Sequence, residues 1–530
     1  MKKGFLNIIL HAHLPYVRHP EYKSFFEENW LFEAMTESYI PLIQVLDSLE
    51  RDKVKFRLTL SLSPTLISML RDDLLQARYA HYLNKQIELA EKEVVRTRQQ
   101  PQYQKLARLY RRLFINTKKT YQQYQSNLLT AFKKHHEAGR IELITTAATH
   151  GFLPVLNISE TAVQQQINIG INTFKSNFGF SPAGFWLPEC GFYPGLEKHL
   201  SKAEIKYFFT DTHGLLDANI ELDNNVYAPV DCGNSVLAFA RDPESSQQVW
   251  NAEQGYPANV NYREYYSDIG FELEQIYLAP YILDGKKRVN TGIKYHRVTG
   301  DSSEKECYEP RQAKHQIEQD AIEFVKQCQL QIEQLGDTMD RLPIITAPYD
   351  AELFGHWWFE GPAWLETVIR LVSEDSIIET ATCSDYLKQQ TSHQVSMPAA
   401  STWGEGGYSS YWVNEENDWI YPFLHQAVEQ MERLTADFRI VTVLPIQERA
   451  LNQALRSLLL AQASDWPFIM KTGTTSEYAK KRLTDCLARF NYLHECIRKN
   501  RIDEHYLLAL ETMDNLFPEI DFRDYRAEVL

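Results

Sequence analysis

Residues 4–13 read Gly-Phe-Leu-Asn-Ile-Ile-Leu-His-Ala-His, a mostly apolar run that ends on two histidines one residue apart. A short segment that is apolar on nearly every position suits a strand buried on both faces, and such strands belong to parallel sheets. The same pattern recurs at 56–62, 141–147, 184–187, 207–210, 236–240 and 343–347. Between most of these runs lie stretches of helical periodicity, such as 33–52 and 160–178. Alternating strand and helix predicts a parallel α/β fold. The residues after each strand say more. The runs lead into His11 and His13, His150, Glu189, Asp211 and His213, Arg241, and Asp350; only 56–62 has no such group. In a parallel barrel the carboxyl ends of the strands share one rim, where chemistry is built. One polar residue after a strand is ordinary turn chemistry; six in register point to a site.

Composition bounds the function. The 530 residues carry 70 Asp+Glu against 55 Lys+Arg, a net charge of −15, with 44% hydrophobic residues. That is globular composition, and its acidic balance argues against a general nucleic-acid binder. No apolar run is long enough to span a membrane. The basic tip Lys2-Lys3 precedes a run broken by Asn7, which reads as a first strand and not a secretion signal. Seven cysteines lie singly with no Cys-x-x-Cys, so a reducing cytoplasm is expected. Nothing in the sequence specifies an oligomeric state.

Two regions break the alternation. Residues 70–138 are helical and heavily charged, which reads as a solvated helical hairpin inserted between the second and third strands. Its basic run, 108–134, is then a solvated face. After a linker near 392–401 and a Trp- and Gly-rich segment at 401–422, helical patterns run from 425 to 510.

Glu189 and Asp350 each follow a strand and should project at the barrel mouth. Two carboxylates on one rim can act as nucleophile and acid/base across a glycosidic bond. The plainer reading of each is a helix N-cap, and Asp350 before Ala-Glu-Leu is a good one. His11 and His13 carry a rival possibility. His-x-His after a strand is a common metal-ligand arrangement that Asp350 or His150 would complete, as in a metal-dependent polysaccharide deacetylase. The other use of these rings is hydrogen bonding to sugar hydroxyls, and spacing does not separate the two. Trp403 and Trp412 lie in a glycine-rich stretch without helical or strand period, which suits the flat faces of glucose rings. Trp364 and Trp466 read as helix core, while Trp357 and Trp358 fit either role.

Five ordered motifs then carry a resemblance. His-Ala-His-Leu-Pro-Tyr at 11–16, Ala-Thr-His-Gly-Phe-Leu-Pro at 148–154, Gly-Phe-Trp-Leu-Pro-Glu-Cys at 184–190, Ala-Pro-Tyr-Asp-Ala-Glu-Leu-Phe-Gly-His-Trp-Trp at 347–358 and the Trp-Gly segment at 403–412 resemble the motif regions of glycoside hydrolase family 57. The likeness covers essentially the whole chain. It implies an incomplete (β/α)7 barrel over 1–395 with a helical insertion at about 70–138. It also implies a C-terminal helical domain over 396–530 that supplies cleft aromatics. The implied substrate is an α-1,4-glucan such as glycogen or amylose, cut and rejoined as α-1,6 branches, with no metal or cofactor.

Residue by residue, the resemblance makes Glu189 the nucleophile and Asp350 the general acid/base. It assigns His11, His13, Trp30, His150, Arg241, Trp250, Ala258, Trp403, Trp412 and Asp465 to substrate binding. The implied mechanism is double displacement with retention, for which the two carboxyls lie about 5–5.5 Å apart. Asp350 must then hold a proton while Glu189 is ionised. Two departures stand out. Ala258 replaces a glycine of the family motif, and a methyl there narrows close backbone approach. The span from Asp211 to Arg241 is short for a mobile lid, and its only tyrosine, Tyr227, reads as a turn-to-strand residue. A missing lid admits water and favours an α-amylase or 4-α-glucanotransferase with little branching. A non-catalytic glucan-binding protein is the remaining alternative.

Overall fold

The computed structural model describes residues 2–251, 254–300, 302, 304–439 and 441–525; the last five residues of the expected C-terminal domain lie outside it. Nine strands form one sheet: β1 (Gly4–Ala12), β2 (Leu58–Leu62), β3 (Ile141–Thr146), β4 (Gly184–Trp186), β5 (Tyr207–Thr210), β6 (Val230–Asp231), β7 (Leu237–Ala240), β8 (Ile344–Asp350) and β9 (Ile378–Thr380). The spatial order is β6-β7-β5-β4-β3-β2-β1-β8, and β9 pairs with the start of β1. Every pairing is parallel except that of β6 with β7.

All seven apolar runs are strands, and all nine residues of β1 are buried. The seven run from β7 round to β8. Between those two edges a backbone bond from the Asp242 N–H to the Thr346 carbonyl bridges the gap (2.8 Å). The ring is an incomplete barrel with one unpaired seam. The short β6 and β9 carry no apolar run of their own.

The insertion between β2 and β3 holds helices Asp73–Arg96, Pro101–Gln123 and Leu128–Glu137. Arg108, Arg111 and Arg112 are exposed, in keeping with a solvated basic face. The hairpin is not solvated all round, however. Leu75, Tyr79, Leu83 and Leu89 on one helix, and Leu106, Tyr110 and Phe114 on the next, form buried stripes at helical spacing. The Tyr110 hydroxyl donates to the Lys294 carbonyl, and those of Tyr277 and Tyr295 donate to Glu93.

Helices Tyr421–Arg439, Pro445–Ala461, Asp465–Thr472, Ser476–Arg498 and Glu504–Met513 follow the irregular stretch 390–417. The apolar core passes without a break from Leu10 and Leu60 in the barrel into Leu455, Leu459, Trp466 and Phe490. Polar contacts reinforce this seam. Gln166 reaches Gln462 (2.8 Å), the Thr149 hydroxyl donates to the Leu459 carbonyl, and Gly151 bridges Ala463.

Helix Glu160–Phe178 packs against β3 through Gly170, where an added Cβ would meet the Thr146 carbonyl oxygen at 2.3 Å. Gly170→Ala is therefore expected to lose about 1–3 kcal/mol of stability through overpacking. Urea denaturation measures this, and an unchanged midpoint would show that the helix shifts freely.

Candidate active site at the carboxyl rim

The strand registers assemble the rim. His11 pairs with Ser61 on β2 and with Asp350 on β8. Glu189 follows β4 in a short 3-10 turn, where it adopts φ 61° and ψ 23°. His150 after β3 also has a positive φ, 55°. Left-handed backbone at a residue with a side chain is strained, and it persists where surrounding contacts over-determine it. Those contacts are visible at Glu189. The Trp403 backbone N–H donates to the Glu189 carbonyl (2.9 Å), and its indole N–H donates to Oε2 (2.8 Å). The Ser464 hydroxyl donates to Oε1 (2.6 Å), and His150 Nδ1 stands 3.5 Å from the same oxygen.

The two carboxyls are driven in opposite directions. Burial opposes the charge on Glu189, but His150, Ser464 and Trp403 outweigh it and hold the group below its usual range. Asp350 is raised well above its ordinary value by burial, then by Glu352 and Glu189, with the Arg241 guanidinium opposing them. Asp350 stands at the N-cap of the turn Ala351–Leu353 but its side chain caps no backbone amide. The N-cap reading of this residue therefore does not hold. Glu352, partly buried, is pushed up to about 7 by desolvation; it accepts from the His13 N–H (3.2 Å) and from the Tyr39 hydroxyl.

The histidines form a packed tier. His11 stacks on Trp186 (4.6 Å between centroids), and His13 stacks on His150 (3.9 Å). His11 Nδ1 lies 3.0 Å from the Ser61 hydroxyl, and its Nε2 lies 3.0 Å from His150 Nε2. Burial lowers the basicity of both His11 and His150. Burial also acts against the cation on His13, but Asp465, 3.1 Å from its Nε2, together with Glu189 and Glu352, outweighs burial and raises it. Arg241 is held by Asp211 (2.7 Å).

The metal alternative fits this arrangement poorly. Both ring nitrogens of His11 are engaged, and among the described residues the three-donor group with ion-sharing spacing is Asp47, Glu50 and His135, none of them on the rim. The Lys134 ammonium already bonds both carboxylates of that group.

The structure thus brings together Glu189, Asp350, His11, His13, His150, Arg241, Trp403 and Asp465. Trp250 is set edge-to-face on Trp403 (6.1 Å). Trp30 packs edge-on against Tyr478 (5.7 Å), and Ala258 ends a 3-10 turn. Among the described residues, no hydrogen bond or ring contact joins Trp30 or Ala258 to either carboxylate. Trp412 corrects an expectation. It is 1% exposed, stacked on Phe152 (5.1 Å) and near Phe468, so it props the glycine-rich loop from behind and offers no face to a ligand. Trp358 and Trp364 are core, whereas Trp357 is 51% exposed and stacks on Tyr265. Ser464, Ser61, Tyr39 and Glu352 escaped the sequence reading. Glu352 lay inside a quoted motif, two residues after Asp350, but nothing in sequence marks a serine as a carboxylate donor.

An open-seamed barrel whose rim sets two carboxyls in opposite electrostatic surroundings has the layout of an enzyme. The chain belongs to glycosyl hydrolase family 57, whose model matches residues 7–399. Residues 423–525 match the model described as the C-terminal region of 1,4-alpha-glucan branching enzyme. The chain is 32% identical to a 1,4-alpha-glucan branching enzyme of Thermococcus kodakarensis, over 99% of its own length and 79% of that protein. Among solved structures, it resembles the alpha-amylase AmyC of Thermotoga maritima (TM-score 0.94, 43% identity, 100% of both chains). It also resembles a branching enzyme of the same family from Pyrococcus horikoshii (TM-score 0.89, 32% identity, 99% of this chain and 97% of that one).

The His13–Asp465 pair gives a checkable titration. His13 is expected to titrate above 6.5, and Asp465→Asn to bring it down, as followed by imidazole NMR shifts. Because the folded value is raised, the pair's contribution to stability is full below the unfolded value and is lost as pH climbs through the folded one.

Proposed function

We propose that the chain is a retaining α-glucan enzyme that cuts α-1,4 links and rejoins the freed end as an α-1,6 branch, with a large share of hydrolysis. The carrying observation is the opposite bias of the two carboxyls, Glu189 towards the anion and Asp350 towards the acid. In the first step a Glu189 oxygen bonds the anomeric carbon as the bond to the leaving O4 breaks, and Asp350 gives O4 its proton. In the second, an acceptor oxygen bonds the same carbon, the ester bond breaks, and its electron pair returns to Glu189. Asp350 takes the acceptor's proton. A glucan 6-hydroxyl as acceptor makes a branch; water makes a reducing end. His11, His13 and Asp465 beside the carboxyls suit hydrogen bonding to the donor sugar, and Trp403 and Trp250 suit its faces.

The relatives named as branching enzymes support transfer, as does the match at 423–525. The segment 211–241 favours a greater loss to water. It is fastened down, with Asn219 N–H on the Met397 carbonyl (3.1 Å) and Asp231 N–H on the Gln394 carbonyl (2.9 Å). Tyr227 accepts from Gln331 (3.0 Å) and stays in the packing. No long free loop rises from it to exclude water, and the likeness to an alpha-amylase supports the second reading, a hydrolase with little branching. The unpaired state of all seven cysteines suits a reducing cytoplasm, where glycogen is built.

Incubation with amylose, followed by debranching and chain-length analysis, separates the two: new side chains are expected alongside rising reducing ends. Reducing ends alone would leave the hydrolase. Glu189→Gln and Asp350→Asn are each expected to lower kcat by roughly 10³-fold or more, on the scale of losing a nucleophile or general acid. The kcat/KM profile is expected to be bell-shaped, Glu189 ionisation setting its acid limb and Asp350 deprotonation its alkaline limb. A flat profile would contradict these roles.

A further inference from the structure

The Ser464 hydroxyl lies at the turn between helices Pro445–Ala461 and Asp465–Thr472, yet it reaches Glu189 at 2.6 Å across the seam with the barrel. Its backbone N–H donates to the His150 carbonyl (3.0 Å), and its oxygen lies 2.8 Å from His150 Nδ1. Ser464 is 1% exposed and His150 2%, so water does not substitute for these partners.

The charge on Glu189 fixes the direction of every bond in this row. An ionised carboxylate only accepts, so Ser464 must spend its single O–H on Oε1. His150 Nδ1 must then carry the hydrogen that Ser464 accepts. A neutral His150 has a bare Nε2, so His11 Nε2 must be the N–H that donates to it. His11 Nδ1 is then bare and accepts from the Ser61 hydroxyl. The row runs one way, Ser61 to His11 to His150 to Ser464 to Glu189, over distances of 3.0, 3.0, 2.8 and 2.6 Å. Reversing it would aim a serine lone pair at a carboxylate oxygen and leave a charged group short of a donor.

We propose that Ser464 is a positioning residue that holds the Glu189 carboxylate correctly turned, at the end of a one-way row of hydrogen bonds that begins at Ser61. This rests on reading Glu189 as the nucleophile. In the second displacement, when the ester bond breaks and its electron pair returns to Glu189, the Ser464 hydrogen bond regains full strength. A donor already in place makes the carboxylate a better leaving group. The groups facing Glu189 are His150, Ser464, Trp403, His13 and Asp350, and Ser464 is the hydroxyl among them.

The test compares wild type, Ser464→Ala, Ser464→Cys and Glu189→Gln on maltooligosaccharides, with melting temperatures recorded. Ser464→Ala is expected to lower kcat roughly 10- to 100-fold without raising KM, the scale of a lost hydrogen bond to a charged group. Its acid limb in kcat/KM should move to higher pH, because the anion has lost a donor. Ser464→Cys, nearly the same shape with a weaker donor, should fall between the two. A role confined to packing would lower the melting temperature and leave the acid limb in place. Wild-type kcat and an unmoved acid limb in Ser464→Ala, with Glu189→Gln inactive, would overturn the role of Ser464 alone. Activity in Glu189→Gln would instead overturn the reading of Glu189 as nucleophile.

Discussion

Strand β1 hydrogen-bonds to β2 along one edge and to β8 along the other, and the two registers meet at one residue. His11 lies level with Ser61 on one side and with Asp350 on the other. Because side chains alternate along a strand, a slip of one residue in either pairing would turn the rim residue to the opposite face. The alignment of the acid with the imidazole tier is thus set by backbone pairing deep in the barrel. Burial of every residue of β1 makes that pairing hard to shift.

On this frame the two carboxyls are separated by environment. Both are partly buried, and desolvation alone would favour the protonated form of both. Glu189 escapes because polar groups converge on it from three parts of the chain: the Trp403 indole and the Ser464 hydroxyl donate to it, and His150 stands 3.5 Å away. Asp350 has acidic neighbours, and Arg241, the cation that opposes them, is itself tied to Asp211. The Glu189 charge also helps raise Asp350, so the two titrations are linked.

Much of the barrel was legible because buried parallel strands must be apolar on both faces, a pattern few other elements share. The rim residues were legible for a related reason: an apolar run that stops abruptly at His, Glu or Asp marks where the chain leaves the core. Trp412 was misplaced because glycine-rich sequence shows a loop but not which side of it faces the core. Ser464 was invisible because its role exists only through contact with a residue 275 positions away in sequence. The burial of the inserted helices was partly hidden too, since their stripes are diluted by charge.

The seam between the barrel and the C-terminal helices bears on how the protein comes into being. The seven strands from β7 round to β8 all end before residue 351, whereas Trp403 and Ser464 follow it. A nascent chain therefore displays the whole barrel before it holds either of these donors to Glu189. Until the stretch around Ser464 has left the ribosome and docked, the carboxyl lacks two of its hydrogen-bond donors. The order of synthesis thus places both of these donors after the strands that carry the carboxyl they serve.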